Sequence, residues 1–206
     1  MPRSLFSIVV ASALPIALLG TAACAPRAMR GGEGTENPGL DQPALSVTLD
    51  KADIDYLVAQ NSGPLFESRF WRDDVVGAAE PPVVAIWSVE NATTQHLGDQ
   101  MLTLLSTLET SLVNSGDVRM VARSQQQALA REIGIQQGAI YDQASAQRLG
   151  RQLGAQYFLT GKVTSVDERL KKTRRVQYSL FLQVLEIETG LIKFQHEAAR
   201  SKALKR

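Results

Sequence analysis

The sequence predicts an α/β fold in which a mixed β-sheet is flanked by helices. In the middle of the chain, short apolar runs typical of buried strands alternate with segments whose apolar residues recur at helical spacing. In the last third, apolar and polar residues alternate over long stretches, which indicates strands joined by a tight turn. Strands separated by helices favour parallel pairing and a hairpin requires antiparallel pairing, so the two regions together predict a mixed sheet.

The first helix is expected directly after Asp50. This residue is an N-cap candidate, and Ile54 and Leu57 follow it at helical spacing. Further along, the run "VVAIWSV" at 83–89 is rich in β-branched residues and indicates a buried strand. Because that run is apolar on both faces, Trp87 is expected in the core.

A long helix is expected over residues 97–114, where one apolar stripe is formed by Leu97, Met101, Leu104, Leu105, Leu108 and Leu112. Gly116 is expected to end this helix in a left-handed conformation. The run "DVRMVA" then predicts a short strand. Two further helices are expected, one opening at Ser124 and one that follows an N-cap at Asp142 and ends at Gly154.

The last third predicts a long hairpin. Residues 156–166 alternate as a strand, and the charged run "DERLKKTRR" at 167–175 is expected to be a connection. The next strand presents one apolar face, formed by Val176, Tyr178, Leu180, Leu182 and Val184. Gly190 belongs to a tight turn, after which residues 191–199 return as the final strand.

The N-terminus has the features of an export signal. Residues 1–23 contain one positive charge, an apolar run and then small residues, and the apolar run is shorter than the roughly 20 residues of a spanning helix. An uncut membrane anchor is the alternative interpretation. Small residues directly before Cys24 resemble the lipobox of bacterial lipoproteins, which implies that Cys24 becomes the lipidated first residue of the mature chain.

Two further segments are expected after residue 23. Residues 24–44 are rich in Gly, Pro and charge, so we expect the lipidated cysteine and a disordered tether. Residues 45–206 are expected to form one globular α/β domain.

Composition argues against several classes of function. One cysteine allows no internal disulfide and no cysteine-based zinc cluster, and a net charge of +1 gives no electrostatic reason to expect nucleic acid. The sequence lacks the GxSxG, P-loop, HExxH and GxGxxG motifs. We therefore expect no enzyme, no cofactor and no metal site.

Two sets of residues are candidates for partner binding. The first is a basic cluster made of Arg169, Lys171, Lys172, Arg174 and Arg175. It is either a solvated loop or a docking patch for an acidic partner or for peptidoglycan carboxylates. The second is the pair Phe70 and Trp71, which lies in a polar segment and is a candidate interface anchor if it is exposed.

Four blocks in order resemble the LpoB-type family of outer-membrane lipoproteins. They are "VVAIWSVENATTQHL", "LVNSGDVRMVAR", "RLGRQLGAQYFLTGKVTSV" and "VQYSLFLQVLEIETGLIKFQ". The resemblance covers about residues 45–200, in addition to the lipobox and the tether.

The resemblance implies a fold similar to the N-terminal domain of TolB and a role without catalysis. Members of the family are anchored in the outer membrane, face the periplasm and bind a regulatory domain of a class A penicillin-binding protein. Binding activates this bifunctional peptidoglycan synthase and so regulates cell-wall synthesis. Ala25 after the cysteine is similar to the outer-membrane case.

Other functions remain open at the level of sequence. One alternative is a secretion-pore subunit similar to the curli-export lipoproteins, which would need long strands facing lipid. The only long alternating segments are 156–166 and 173–199, and the fold core requires them. Another periplasmic lipoprotein scaffold and a periplasmic hydrolase are the remaining alternatives.

Overall fold

The computed structural model describes residues 31–32, 34–132 and 143–205. The chain divides into two compact units, Met1–Leu40 and Asp41–Arg206. In the first unit the described residues form turns, in which the N–H of Gly32 donates to the carbonyl of Asn37 at 3.0 Å. The expected export signal and Cys24 lie outside the described residues.

The second unit contains a five-stranded sheet with the order β2-β1-β3-β4-β5. Its strands are β1 (Val83–Asn91), β2 (Arg119–Met120), β3 (Tyr157–Leu170), β4 (Thr173–Glu186) and β5 (Ile192–Lys205). Strand β1 pairs in parallel with β2 and β3, whereas β4 pairs antiparallel with β3 and β5. The predicted mixed sheet is therefore confirmed.

In the part of the chain that the structure describes, four α-helices and one π-helix accompany the sheet. They are α1 (Lys51–Glu67), the π-helix (Trp71–Val76), α2 (Gly98–Ser115), α3 (Arg123–Glu132) and α4 (Gln143–Leu153). Among the described residues, no helix combines the length and the apolar character that crossing a membrane requires.

Helix α1 begins with a reciprocal capping box. The Asp50 carboxylate accepts from the N–H of Asp53, and the Asp53 carboxylate accepts from the N–H of Asp50, both at 3.0 Å. These bonds satisfy two of the free N–H groups at the start of the helix. Ile54 and Leu57 are buried as the helical spacing predicts.

Helix α2 also matches its prediction. Leu97, Leu104, Leu108 and Leu112 are buried, and Met101 and Leu105 pack against the core while partly exposed. Gly116 follows the helix with a φ of 75°, the left-handed conformation that a glycine adopts without a steric penalty.

The sheet separates two apolar clusters. On the inner face, which carries the alternating residues Val176 to Val184 of β4, α1 and α2 close the larger cluster. On the outer face, Leu149 of α4 packs with Phe158 and Ile187. Trp87 lies at the edge of this second cluster, 4.9 Å from Phe158 between ring centroids, and stays partly exposed.

The prediction that residues 167–175 form a connection is wrong. Strands β3 and β4 continue through this run, so that Arg169 pairs with Arg174 and only two residues turn the chain. Strand β5 extends as well, and its Lys205 pairs with Thr173. Cross-strand ion pairs, described below, support strand pairing where no core lies beneath it.

The start of α3 also differs from its prediction. The helix begins at Arg123, and the N–H of Gln126 donates to the carbonyl of Ala122 at 3.1 Å. Ser124 therefore lies within the first turn instead of capping it. Asp142, the expected N-cap of α4, lies outside the described residues, whereas Gly154 follows α4 with the left-handed φ of 65°.

Gly161 in β3 is packed tightly against the neighbouring strand, whereas Gly63 in α1 has open space beside it. A Cβ on Gly161 would lie 2.2 Å from the carbonyl oxygen of Phe181, whereas a Cβ on Gly63 in α1 would meet nothing within 4 Å. We expect Gly161→Ala to lower the free energy of unfolding by about 1–3 kcal/mol, because the backbone of β4 must move. Gly63→Ala, the matched control, should raise it by about 0.5–1 kcal/mol. Urea unfolding measures both, and equal stability of Gly161→Ala and the wild type would contradict the packing described.

Candidate functional site

The five basic candidates lie together at the end of the β3–β4 hairpin. We call residues 167–175 the hairpin tip. Lys171 and Lys172 form the two-residue turn beyond the last strand pair, which joins Leu170 and Thr173. Lys171 has a φ of 51°, a left-handed conformation that is uncommon for a residue with a side chain. The structure thus brings together all the residues predicted from the basic cluster.

Two of the five cations are already paired within the hairpin. The Nη2 atom of Arg174 lies 2.6 Å from Oδ2 of Asp167, and the Arg175 guanidinium donates to the carboxylate of Glu168. Hydrogen bonds from Arg174 hold the pKa of the Asp167 carboxyl below its usual value. These two arginines therefore stabilise the hairpin tip rather than offering free positive charge.

The remaining charge of the hairpin tip is less constrained. Arg169 approaches Asp167 only to 3.9 Å, and Lys171, Lys172 and Lys205 have no carboxylate partner among the residues that the structure describes. Leu170 precedes the two turn lysines and is 74% exposed. The outermost surface of the hairpin is thus cationic around an exposed leucine.

A buried charge network lies where α1 meets β5, and sequence reasoning missed it. Nζ of Lys202 lies 2.6 Å from Oδ2 of Asp53, and it also donates to the Asp50 carboxylate and the carbonyl of Thr48. Asp53 is 2% exposed and Lys202 is 8% exposed. Burial alone would lower the pKa of Lys202, but the hydrogen bonds to Asp50 and Asp53 outweigh burial and raise it. The network therefore holds Lys202 in its charged form.

A second cation completes this network. Nε of Arg200 lies 3.1 Å from Oδ1 of Asp53, and its guanidinium stacks over the ring of Tyr56 at 4.7 Å. The carboxylates are thus neutralised by side chains, and among the described residues no three His, Cys, Asp or Glu are grouped to hold a metal ion. The alternation of side chains along a strand could have indicated this network. Arg200 and Lys202 lie two and four positions after Ala198, which faces inwards, so all three side chains lie on the same face of β5.

The chain enters the second unit beside the end of β5. Asp41, Gln42 and Ala44 line a surface groove of about 250 Å³ together with Ser201 and Ala203. In the sheet, Ala203 pairs with Arg175 of the hairpin tip. The segment that leads in from the N-terminal side therefore meets the domain at the same end as the hairpin tip.

The interpretation of Phe70 and Trp71 as an exposed interface anchor is wrong. Their side chains are 6% and 3% exposed. The Trp71 ring lies 4.8 Å from that of Phe66, and its Nε1 donates to Asp117 at 2.9 Å, while Phe70 lies 5.0 Å from Tyr157. The helical backbone at this point turns both rings into the core. Their partners Asp117 and Tyr157 are distant in the sequence, so the polar residues around Phe70 and Trp71 gave no indication of this burial.

The sequence model of the peptidoglycan-synthase activator LpoB matches residues 60–199 of this chain. This match covers more than half of the chain, from the second half of α1 through α2 and strands β1 to β4 into β5. A comparison with curated protein sequences gives no significant match.

Several solved structures are similar to this chain. The LpoB C-terminal domain from Salmonella enterica is 21% identical, with 71% of this chain and 94% of that chain covered and a TM-score of 0.49. The LpoB C-terminal domain from Escherichia coli is 21% identical, with 70% of this chain and 98% of that chain covered and a TM-score of 0.49. Lipoprotein GNA1162 from Neisseria meningitidis is 11% identical, with 60% of this chain and 84% of that chain covered and a TM-score of 0.48.

The buried network makes a prediction about stability. Lys202→Met leaves Asp53 buried with Arg200 as its remaining charged partner, so we expect the free energy of unfolding to fall by about 3–5 kcal/mol at about pH 7. Lys51→Met is the matched control, since its ion pair with Asp55 is exposed and should contribute about 0.5 kcal/mol or less. Urea unfolding of both variants checks this, and equal losses would contradict the role of the network.

The same variants have an expected pH dependence. Burial would raise the pKa of Asp50, but hydrogen bonds from Lys202 and Asp53 hold it below its ordinary value of 3.8. A lowered folded-state pKa stabilises the protein above that ordinary value, and this stability is lost as the pH falls through the folded-state pKa. The free energy of unfolding of the wild type should therefore fall as the pH drops below 3.8, and that of Lys202→Met should fall less over the same range.

Proposed function

Since this chain belongs to the LpoB family of peptidoglycan-synthase activators, we propose that it activates a bifunctional class A penicillin-binding protein without catalysing a reaction itself. The observation that carries the proposal is the family match over residues 60–199. The partner surface would be a regulatory domain of the synthase, and the outcome would be faster peptidoglycan synthesis.

Activation of this kind needs only a difference in affinity. A protein that binds the active conformation of the synthase more tightly than the inactive one raises the active population. A tenfold preference corresponds to about 1.4 kcal/mol, which a modest contact area supplies. The packed clusters on both faces of the sheet support such a role, because they hold surface residues in fixed positions before binding.

The place of action would be the periplasmic face of the outer membrane. Residues 1–23 would be removed, Cys24 would carry the lipid, and residues 24–44 would connect it to the domain at 45–206. The small residues before Cys24 and the alanine after it support this assignment. Two or three acyl chains would hold the protein stably on the membrane, whereas one chain would not.

The activator role has a direct test. The mature chain, residues 24–206, with Cys24→Ala and therefore without lipid, should be captured by a purified class A penicillin-binding protein and should accelerate glycan polymerisation in solution. The same synthase without its regulatory domain is the control and should be neither bound nor stimulated. No capture and no acceleration at protein concentrations on the order of 10 μM would overturn the proposal.

The lipid anchor has a separate test. Cells that express the chain are fed a palmitate analogue, which should label the wild type and not Cys24→Ala, because Cys24 is the only cysteine. The wild type should also sediment with outer membranes. Label on both proteins, or on neither, would contradict lipidation at Cys24.

A further inference from the structure

We propose that the hairpin tip is a second membrane contact, which lies on the anionic phospholipid surface that holds the lipid anchor. The proposal rests on the proposed anchor at Cys24. It assigns the basic cluster to lipid headgroups instead of to a protein partner.

The first support is the division of charge at the hairpin tip. Asp167 and Glu168 are held by Arg174 and Arg175, so the two carboxylates do not offset the outer cations. Lys171 and Lys172 project from the turn itself, and Lys205 at the end of β5 pairs with Thr173 beside them. Clustered lysines at one extremity are attracted to anionic lipid surfaces.

The second support is apolar. Leu170 is 74% exposed next to the two turn lysines, and Val166, on the same face of β3, is 56% exposed. A leucine at this point loses water contact if the turn enters the headgroup region while the lysine stems reach back to the phosphates. An anionic lipid surface accounts for both features, because its phosphates attract the lysines and the boundary of the acyl chains takes up the leucine.

The third support is the path of the chain. The segment Asp41–Ala44 meets β5 at Ser201 and Ala203, within a few residues of Lys205 and the hairpin turn. The 17 residue steps from Cys24 to Asp41 can span at most about 60 Å. A lipid on Cys24 would thus keep this end of the domain near the membrane, at an effective concentration on the order of millimolar for a short linker. At that effective concentration, even a weak affinity of the hairpin tip for lipid would keep most molecules bound through the tip.

The orientation has a consequence for the synthase. Strand β3 has 14 residues and leads from the turn to Tyr157, beside the π-helix. At about 3.3 Å per residue this end lies roughly 45 Å along the strand from the hairpin turn. A domain that rests on its hairpin tip therefore presents the end with Tyr157 towards the periplasm.

Vesicle sedimentation tests the proposal with the mature chain, residues 24–206, carrying Cys24→Ala, so that neither the apolar signal nor a lipid anchor contributes. We expect binding to phosphatidylcholine vesicles with about 30% phosphatidylglycerol, weakening as salt rises, and little binding to phosphatidylcholine alone. Lys171→Glu with Lys172→Glu should weaken binding at least about tenfold, and Leu170→Ser about threefold. The matched control is Arg148→Glu with Arg151→Glu, exposed arginines on α4, which should bind like the parent chain. Circular dichroism and urea midpoints confirm that each variant is folded.

The outcomes separate this proposal from the activator role. Absence of binding to anionic vesicles, or equal losses in the hairpin-tip and α4 variants, would overturn it. If reversal of the two lysines abolished capture by the synthase but left vesicle binding intact, the hairpin tip would be a protein site and the proposal would be wrong. Vesicle binding that depends on the hairpin tip would support it even if the synthase were neither captured nor stimulated.

Discussion

The rest of the fold depends on the burial of the inner face of β4. Its alternating residues from Val176 to Val184 are at most 3% exposed, and the strand pairs over its length with both neighbours. The Tyr178 hydroxyl oxygen lies 3.1 Å from the carbonyl oxygen of Val47 and 2.8 Å from Oε1 of Gln95, and its single proton donates to one of these two acceptors at a time. The Asn61 amide donates to the carbonyl of Leu180 at 3.2 Å. One strand thus fixes the segment before α1, the helix itself and the loop after β1. Each buried polar group there has a partner, so the strand can be central and still carry polar atoms.

Charged residues occur in three environments whose energetics differ. Lys202 and Asp53 are buried and mutually neutralised, Arg174 and Asp167 pair across an exposed hairpin, and the lysines of the turn face solvent. The first environment does the most to define the structure. A one-residue slip of β5 would move Lys202 to the opposite face of the sheet and leave Asp53 without that partner. The buried pair therefore makes the correct register of β5 more stable than registers shifted by one residue, whereas the exposed pairs contribute little to that difference in stability.

Periodicity predicted the elements whose structure is decided locally. The stripe of α2 and the alternation of β4 follow from side-chain spacing, so the mixed sheet with its helices could be derived from the sequence. Three features could not. Trp71 is buried through a hydrogen bond to Asp117, the hairpin extends through 167–175 because of ion pairs between strands, and Lys202 is buried because α1 lies over it. For Trp71 and Lys202 a polar or charged sequence context indicated solvent, and a partner distant in the sequence reversed that expectation. The hairpin tip stays exposed, and its ion pairs join residues only seven positions apart in the chain. The basic cluster was found from sequence, but the register was needed to separate the arginines paired across the hairpin from the solvent-facing lysines of the turn.

The continuity of the β3–β4 pairing gives the hairpin a mechanical property that its neighbours lack. The register joins Tyr157 with Glu186 and Leu170 with Thr173 without a bulge, whereas irregularities interrupt β1–β3 and β4–β5. A bulge bends a strand locally, so an uninterrupted pair is the stiffest connection between the two ends of the domain. Because the inner residues of the same two strands form the core, a force at the turn is transmitted to the packed body instead of being absorbed by a loop. A surface contact at Lys171 and Lys172 would therefore orient the whole domain, although the contact itself involves only a turn.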